Sequence, residues 1–131
     1  MLFRSARKLI AEARKQGRAA LDEASGKKLL AAYGITVPKS VVVPGAAEVG
    51  PAFKQLKAPV AIKVVSPDIL HKSEAGGIRV GIGSAAEAST AIREMMAAPA
   101  IAAARIDGFL IEEMAPRGQE VIIGEIGRAH V

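Results

Sequence analysis

The stretch PVAIKVVSPDILHKSEAGGI over 59–78 sets one lysine, Lys63, in the middle of a run of Val and Ile. A lysine there loses hydration unless an anion meets it, which makes Lys63 a candidate phosphate contact. The same pattern fits a lysine whose stem runs off the exposed face of an edge strand. His71 and Lys72 follow in a polar loop with Ser73, Glu74 and the Gly76-Gly77 pair. Neutral imidazole is nucleophilic near pH 7 and could accept a phosphoryl group, with Lys72 neutralising the incoming charge. Gly76 and Gly77 would let backbone approach a ligand and offer amide donors to phosphate. A lone loop histidine is also ordinary solvated surface.

A second group lies further on. Glu112, Glu113 and Met114 end the strand-like run GFLIEEM. A carboxylate and backbone groups there could hydrogen-bond an adenine edge and ribose hydroxyls while Met114 packs on the base. Paired carboxylates at a strand end also occur as exposed turn residues, and Arg117 and Glu120 carry the same ambiguity. There is no glycine-lysine phosphate loop, no GxGxxG fingerprint and no spacing of His, Asp or Glu that suits zinc. The sequence assigns no metal ligand.

The elements that must position these residues follow from periodicity. Leu2, Ala6, Leu9, Ile10 and Ala13 recur at helical spacing and predict an amphipathic helix ending near Gly17. A second helix is expected over 22–33, with Leu29, Leu30 and Tyr33 on one side and Gly34 closing it. Residues 40–43 and 60–65 read as strands, separated by a helix over 46–56. Pro67 ends the second strand, and 78–82 alternates as a strand with one solvent face. Ser84 and Glu87 have capping-box spacing before a helix striped by Ala88, Ala91, Ile92 and Met95, which stops at Pro99. Residues 109–111 and 119–124 read as two strands joined at 116–118, a hairpin.

Composition narrows the classes. Half of the residues are hydrophobic, enough for a real core, so disorder is not expected. The net charge of +5 suits an anionic partner, nucleotide or nucleic acid. Much of the excess, however, sits in Arg4, Arg7, Lys8, Arg14, Lys15 and Arg18, which a helix would spread over a solvated face. With 3% aromatic residues and no Trp, stacking platforms for nucleic acid are scarce. The chain has no cysteine, which fits a reducing compartment. No apolar run reaches membrane-spanning length, and the N-terminus lacks the unbroken apolar core of a secretory signal. A cytoplasmic protein is expected, with no membrane or nucleic-acid partner.

Taken together, LLAAYGITVP over 29–38, AIKVVSPDILHKS over 61–73 and GFLIEEM over 108–114 resemble, in order, the ATP-grasp domain of the NDP-forming acyl-CoA synthetases. That group includes ADP-forming acetate-CoA ligase and, more distantly, succinyl-CoA synthetase. The resemblance covers about 21–124 and implies an α+β fold, the front lobe of an ATP-grasp domain. It implies that Lys63 contacts nucleotide phosphates, that Glu112, Glu113 and Met114 form the hinge around adenine and ribose, and that Glu120 faces the nucleotide. His71 matches a loop histidine of phosphoryl relay, in a loop shaped by Lys72, Gly76 and Gly77. The implied reaction is acyl-CoA + ADP + phosphate ⇌ acid + CoA + ATP through a phosphohistidine. CoA binding and the principal phosphohistidine fall to a separate α domain or subunit.

After EVIIG over 120–124 the chain departs from the family pattern and ends in EIGRAHV. The sequence therefore predicts an ATP-grasp domain incomplete at its C-terminus and inactive alone, its Mg2+ ligands belonging to the missing part. One choice of codons for the last seven residues spells a common library adapter. This gives an expected division into a helical extension over 1–20, a partial nucleotide-binding domain over 21–124, and a non-native tail over 125–131 in which His130 has no role. A regulatory module of the kind fused to protein acetyltransferases is the alternative reading.

Overall fold

The computed structural model describes residues 2–122 and 124. Helix α1 (Leu2–Lys15) carries Arg14 and Lys15 in its last turn, where cations oppose the negative end of the helix dipole. Helix α2 (Glu23–Ala32) starts at Asp22, whose carboxylate accepts a hydrogen bond from Ser25 N at 2.7 Å. It closes at Gly34, where φ is +80° and Ile35 N donates back to Leu30 O. The expected apolar side of α2 is not buried. Leu30 is 43% and Tyr33 52% exposed, and the helix has no buried residue. The contacts of α2 with the sheet are made by the charged side chains of Glu23 and Lys27.

Four antiparallel strands follow, β1 (Ser40–Val43), β2 (Val60–Val65), β3 (Ile78–Ile82) and β4 (Gly108–Glu113), in the spatial order β1-β4-β2-β3. A 3-10 turn (Ala46–Glu48) and α3 (Val49–Lys54) fill the place of the single helix expected over 46–56. Helix α4 (Ala85–Ala97) and the short α5 (Pro99–Ala102) connect β3 to β4. At the start of α4, Ser84 Oγ accepts from Glu87 N. Glu87 closes its side of the cap on Gly83 N, one residue before the position a capping box would use.

Alternation divides the sheet into two faces. Val60, Ile62 and Val64 of β2 and Phe109 and Ile111 of β4 face α3, α4 and α5, and with Ile92, Met95 and Ile101 they form the core. Ala61 and Lys63 of β2 and Leu110 and Glu112 of β4 point the other way, toward α2. Gly81, at φ +70°, takes up the register shift between β2 and β3.

Two expectations are corrected. Lys63 does not run off an edge strand, because β2 lies between β4 and β3. The hairpin partner expected over 119–124 is not a strand in the described residues 119–122 and 124. The reason is topological: β4 is paired on both edges, with β1 and β2, and has no free backbone to offer a following strand. Val121 and Ile122 are exposed. The tail expected over 125–131, with His130, lies outside the described residues. Among the described residues, no helix is long and apolar enough to cross a membrane.

Candidate functional site

On the sheet face away from the core, Lys63 and Glu112 are diagonal neighbours, since Lys63 pairs with Leu110 and Glu112 with Ala61. Lys63 Nζ lies 3.5 Å from Glu112 Oε1. The first residue of α2, Glu23, reaches down to this pair, and its Oε2 accepts from Lys63 Nζ at 3.0 Å. Lys27, one turn along α2, donates to the same Glu23 oxygen at 3.0 Å and also to Glu112 Oε2. Lys72 comes from the β2–β3 loop and donates to Glu23 Oε1 at 3.1 Å. Three ammonium groups from three parts of the chain therefore converge on one carboxylate, and a second carboxylate supports two of them.

The surroundings set the electrostatics. Glu112 is 7% exposed, and the other four side chains are about a quarter exposed or less. Burial pushes the Glu23 carboxyl upward, but the hydrogen bonds from Lys63, Lys27 and Lys72 override it and hold its pKa at about 2. Burial also lowers Lys27, with help from the positive charges of Lys63 and Lys72, against the opposing pull of Glu23. Such a concentration of like charge in a half-buried place is stable only with an anion at its centre. In this structure Glu23 is that anion. A cleft of about 360 Å3 opens beside it, with Leu21, Glu23, Val65, Leu70, Lys72 and Leu110 among its lining residues.

The structure brings Lys63, Lys72 and Glu112 together and leaves the other expected residues apart. His71 is exposed in the loop next to Lys72. Gly76 and Gly77 do not present free amides, because Gly76 N donates to Ser73 O and Gly77 N to Lys72 O. Gly77 has a packing reason instead: a Cβ there would overlap Val64 Cγ1 and stand 3.2 Å from Lys72 O. Its carbonyl accepts from Val64 N at 2.8 Å, so the glycine pins the end of the loop against β2 and holds Lys72 near the sheet.

The hinge residues divide. The Glu112 carboxylate is engaged by Lys27 and Lys63 rather than facing an open pocket. Glu113 Oε2 accepts from Lys57 N at 2.6 Å, and Met114 N donates to Pro59 O. The Met114 thioether stays accessible at the rim, where its sulfur accepts from Gly81 N at 3.2 Å. Glu120 is exposed and outside the charged cluster. Among the described residues, no group of three or more His, Asp or Glu side chains could hold a metal ion.

Sequence reasoning missed Glu23 and Lys27. Their signal was a Glu followed four residues later by Lys, which on a helix surface reads as routine stabilisation.

Comparison with known proteins gives a consistent picture. A family model described as an ATP-grasp domain matches residues 12–128. The 4-hydroxybutyrate–CoA ligase [ADP-forming] of Nitrosopumilus maritimus is 39% identical over 121 residues, covering 91% of this chain and 17% of that protein. The acetate–CoA ligase [ADP-forming] I subunit beta of Pyrococcus furiosus is 38% identical over 123 residues, covering 92% of this chain and 53% of the subunit. Among solved structures, the Ca. Korarchaeum cryptofilum dinucleotide forming acetyl-coenzyme A synthetase 1, in complex with coenzyme A, Ca-AMPCP and HgCl+, superposes with a TM-score of 0.81 at 33% identity. That match covers 86% of this chain and 50% of the other. The chain thus spans about half of the β subunit and a smaller part of the longer ligase.

Proposed function

The chain belongs to the ATP-grasp domain family, and on that premise we propose that it is the nucleotide-binding part of an ADP-forming acyl-CoA ligase. The observation that carries this reading is the convergence of Lys27, Lys63 and Lys72 on one anion above a β-sheet face. Preorganised ammonium groups of this kind bind and polarise phosphates, which is most of what an enzyme must supply for phosphoryl transfer.

In this reading Lys63 and Lys72 hold the phosphates of ADP or ATP, and the rim at Glu113 and Met114 receives the base and ribose, Met114 packing on the ring. Gly76 and Gly77 shape the loop that carries Lys72, and Glu112 sets the position of Lys63. Glu120 faces the nucleotide from the segment after β4. In the complete reaction, phosphate attacks the acyl thioester, forming an acyl phosphate and releasing CoA. A histidine nitrogen takes the phosphoryl group and frees the carboxylic acid, and ADP then takes it from that nitrogen to become ATP. His71, exposed beside Lys72, is the relay residue of this chain. A CoA-binding α domain or subunit provides the acyl chemistry in a cytoplasmic enzyme. Mg2+ would accompany the nucleotide, with protein ligands outside the described residues, and would supply charge neutralisation to its phosphates.

ATP formation from acetyl-CoA, ADP and phosphate, assayed in the full ligase containing this domain, tests the roles. Lys63→Ala should raise the KM for ADP by tenfold or more, and His71→Ala should abolish turnover while ADP still binds. Unchanged turnover in both variants would refute the assignment. This chain assayed alone should form no ATP.

A further inference from the structure

Glu23 is the one negative group touched by all three lysines of the site, and it belongs to a helix that has no buried residue. The carboxylate takes Lys27 and Lys63 on one oxygen and Lys72 on the other, at 3.0, 3.0 and 3.1 Å. Its helix buries no residue of its own, so little apolar contact opposes a shift of its first turn. The cleft beside it is lined by both Glu23 and Lys72, so an incoming group meets that ion pair first.

Charge balance identifies that group. Three lysines against Glu23 and Glu112 leave one net positive charge, whereas three lysines against Glu112 alone leave two. A phosphoryl group near neutral pH carries about −1.5 to −2 and has three acceptor oxygens, one for each ammonium. A carboxylate offers only two oxygens and a single charge, so it neutralises the cradle incompletely.

We infer that Glu23 is an intramolecular stand-in for a phosphoryl group, which it yields to a bound phosphate by exchange on Lys27, Lys63 and Lys72. The inference rests on the nucleotide-binding reading and adds a competitor to it: phosphate affinity is lowered by the carboxylate that must leave. Glu23 is thus a gating residue rather than a catalytic one. It keeps the lysine cradle assembled while empty, and it discriminates against monoanions too weak to displace it.

The test uses pyrophosphate as probe, titrated calorimetrically into the chain and into Glu23→Gln, with ADP and adenosine in parallel. Glu23→Gln should bind pyrophosphate roughly tenfold more tightly than the unaltered chain, with adenosine affinity unchanged. Equal or weaker pyrophosphate binding by a folded Glu23→Gln overturns the inference. If ADP binds the unaltered chain no better than adenosine does, the nucleotide reading fails separately, and the pyrophosphate comparison still decides the exchange. Should Glu23→Gln lose its circular dichroism signal, Glu23→Asp replaces it, since it keeps the charge but withdraws the carboxylate by one methylene. Roughly threefold tighter pyrophosphate binding by Glu23→Asp supports the exchange, and unchanged binding overturns it.

Discussion

The two faces of the sheet are built from the same strands and do opposite work. On one, Phe109, Ile111, Ile62 and Val64 are sealed under α4, whose Ile92 and Met95 are equally inaccessible. On the other, Lys63 and Glu112 meet α2, which has no fully buried residue and is tied to the sheet by ion pairs. Apolar burial is non-directional and adds up over area, so the α4 face supplies stability. Charged pairs in a half-buried site offset much of their gain by their own desolvation, so the α2 face contributes less to folding than the α4 face and can exchange partners. A two-residue period along β2 and β4 is all that separates a structural surface from a binding one.

That division can be broken at the apolar face first. Phe109→Ala should cost about 3–5 kcal/mol, read as a lower midpoint in urea unfolding, because it empties the centre of the core. A loss below about 1 kcal/mol would mean that the core lies elsewhere.

Acid titration reads the charged face. The Glu23 carboxyl stands at about 2 in the folded chain against an ordinary 4.5. Its folded value is depressed, so its stabilisation is present above about pH 4.5 and is lost as pH falls from there toward 2. Thermal melts of the chain and Glu23→Gln should diverge across that window, with the variant lacking an acid-sensitive component on the order of 2 kcal/mol. Parallel pH profiles would mean that the lysines do not hold this carboxylate in solution.

Gly77→Ala tests the join between the faces. The added methyl meets Val64 on β2, so about 1–2 kcal/mol should be lost, and pyrophosphate affinity should fall with it as Lys72 shifts. Retained affinity with lost stability would uncouple the loop from the cradle. The smallest effect is expected at Leu30→Ala, on the exposed side of α2, within about 0.5 kcal/mol of the unaltered chain by the same urea assay.

Much of this was legible in the residues. Periodicity and turn chemistry located α1, α2, α4 and the four strands, and Gly34 and Ser84 marked the ends they cap, whereas the helix expected over 46–56 is divided and the short α5 (Pro99–Ala102) was not expected. The strand expected over 119–124 was not legible as an error, because local alternation cannot reveal that β4 already has two neighbours. Sheet order also decided the reading of Lys63, whose pattern alone fitted an edge strand equally well. Leu30 and Tyr33 misled for a related reason: helical spacing identifies a stripe but not whether anything covers it. The site was half legible. Lys63 and Lys72 stand in an unusual context, while Glu23 and Lys27 look like a surface pair until folding brings β2, β4 and the 66–77 loop beneath them.

The most direct test of the binding face is a calorimetric titration of ADP and adenosine into the chain and into Lys63→Met. Binding of ADP at least tenfold tighter than adenosine, with that preference removed by Lys63→Met and the urea midpoint nearly unchanged, is the predicted result. Equal ADP binding by the chain and by Lys63→Met would contradict it.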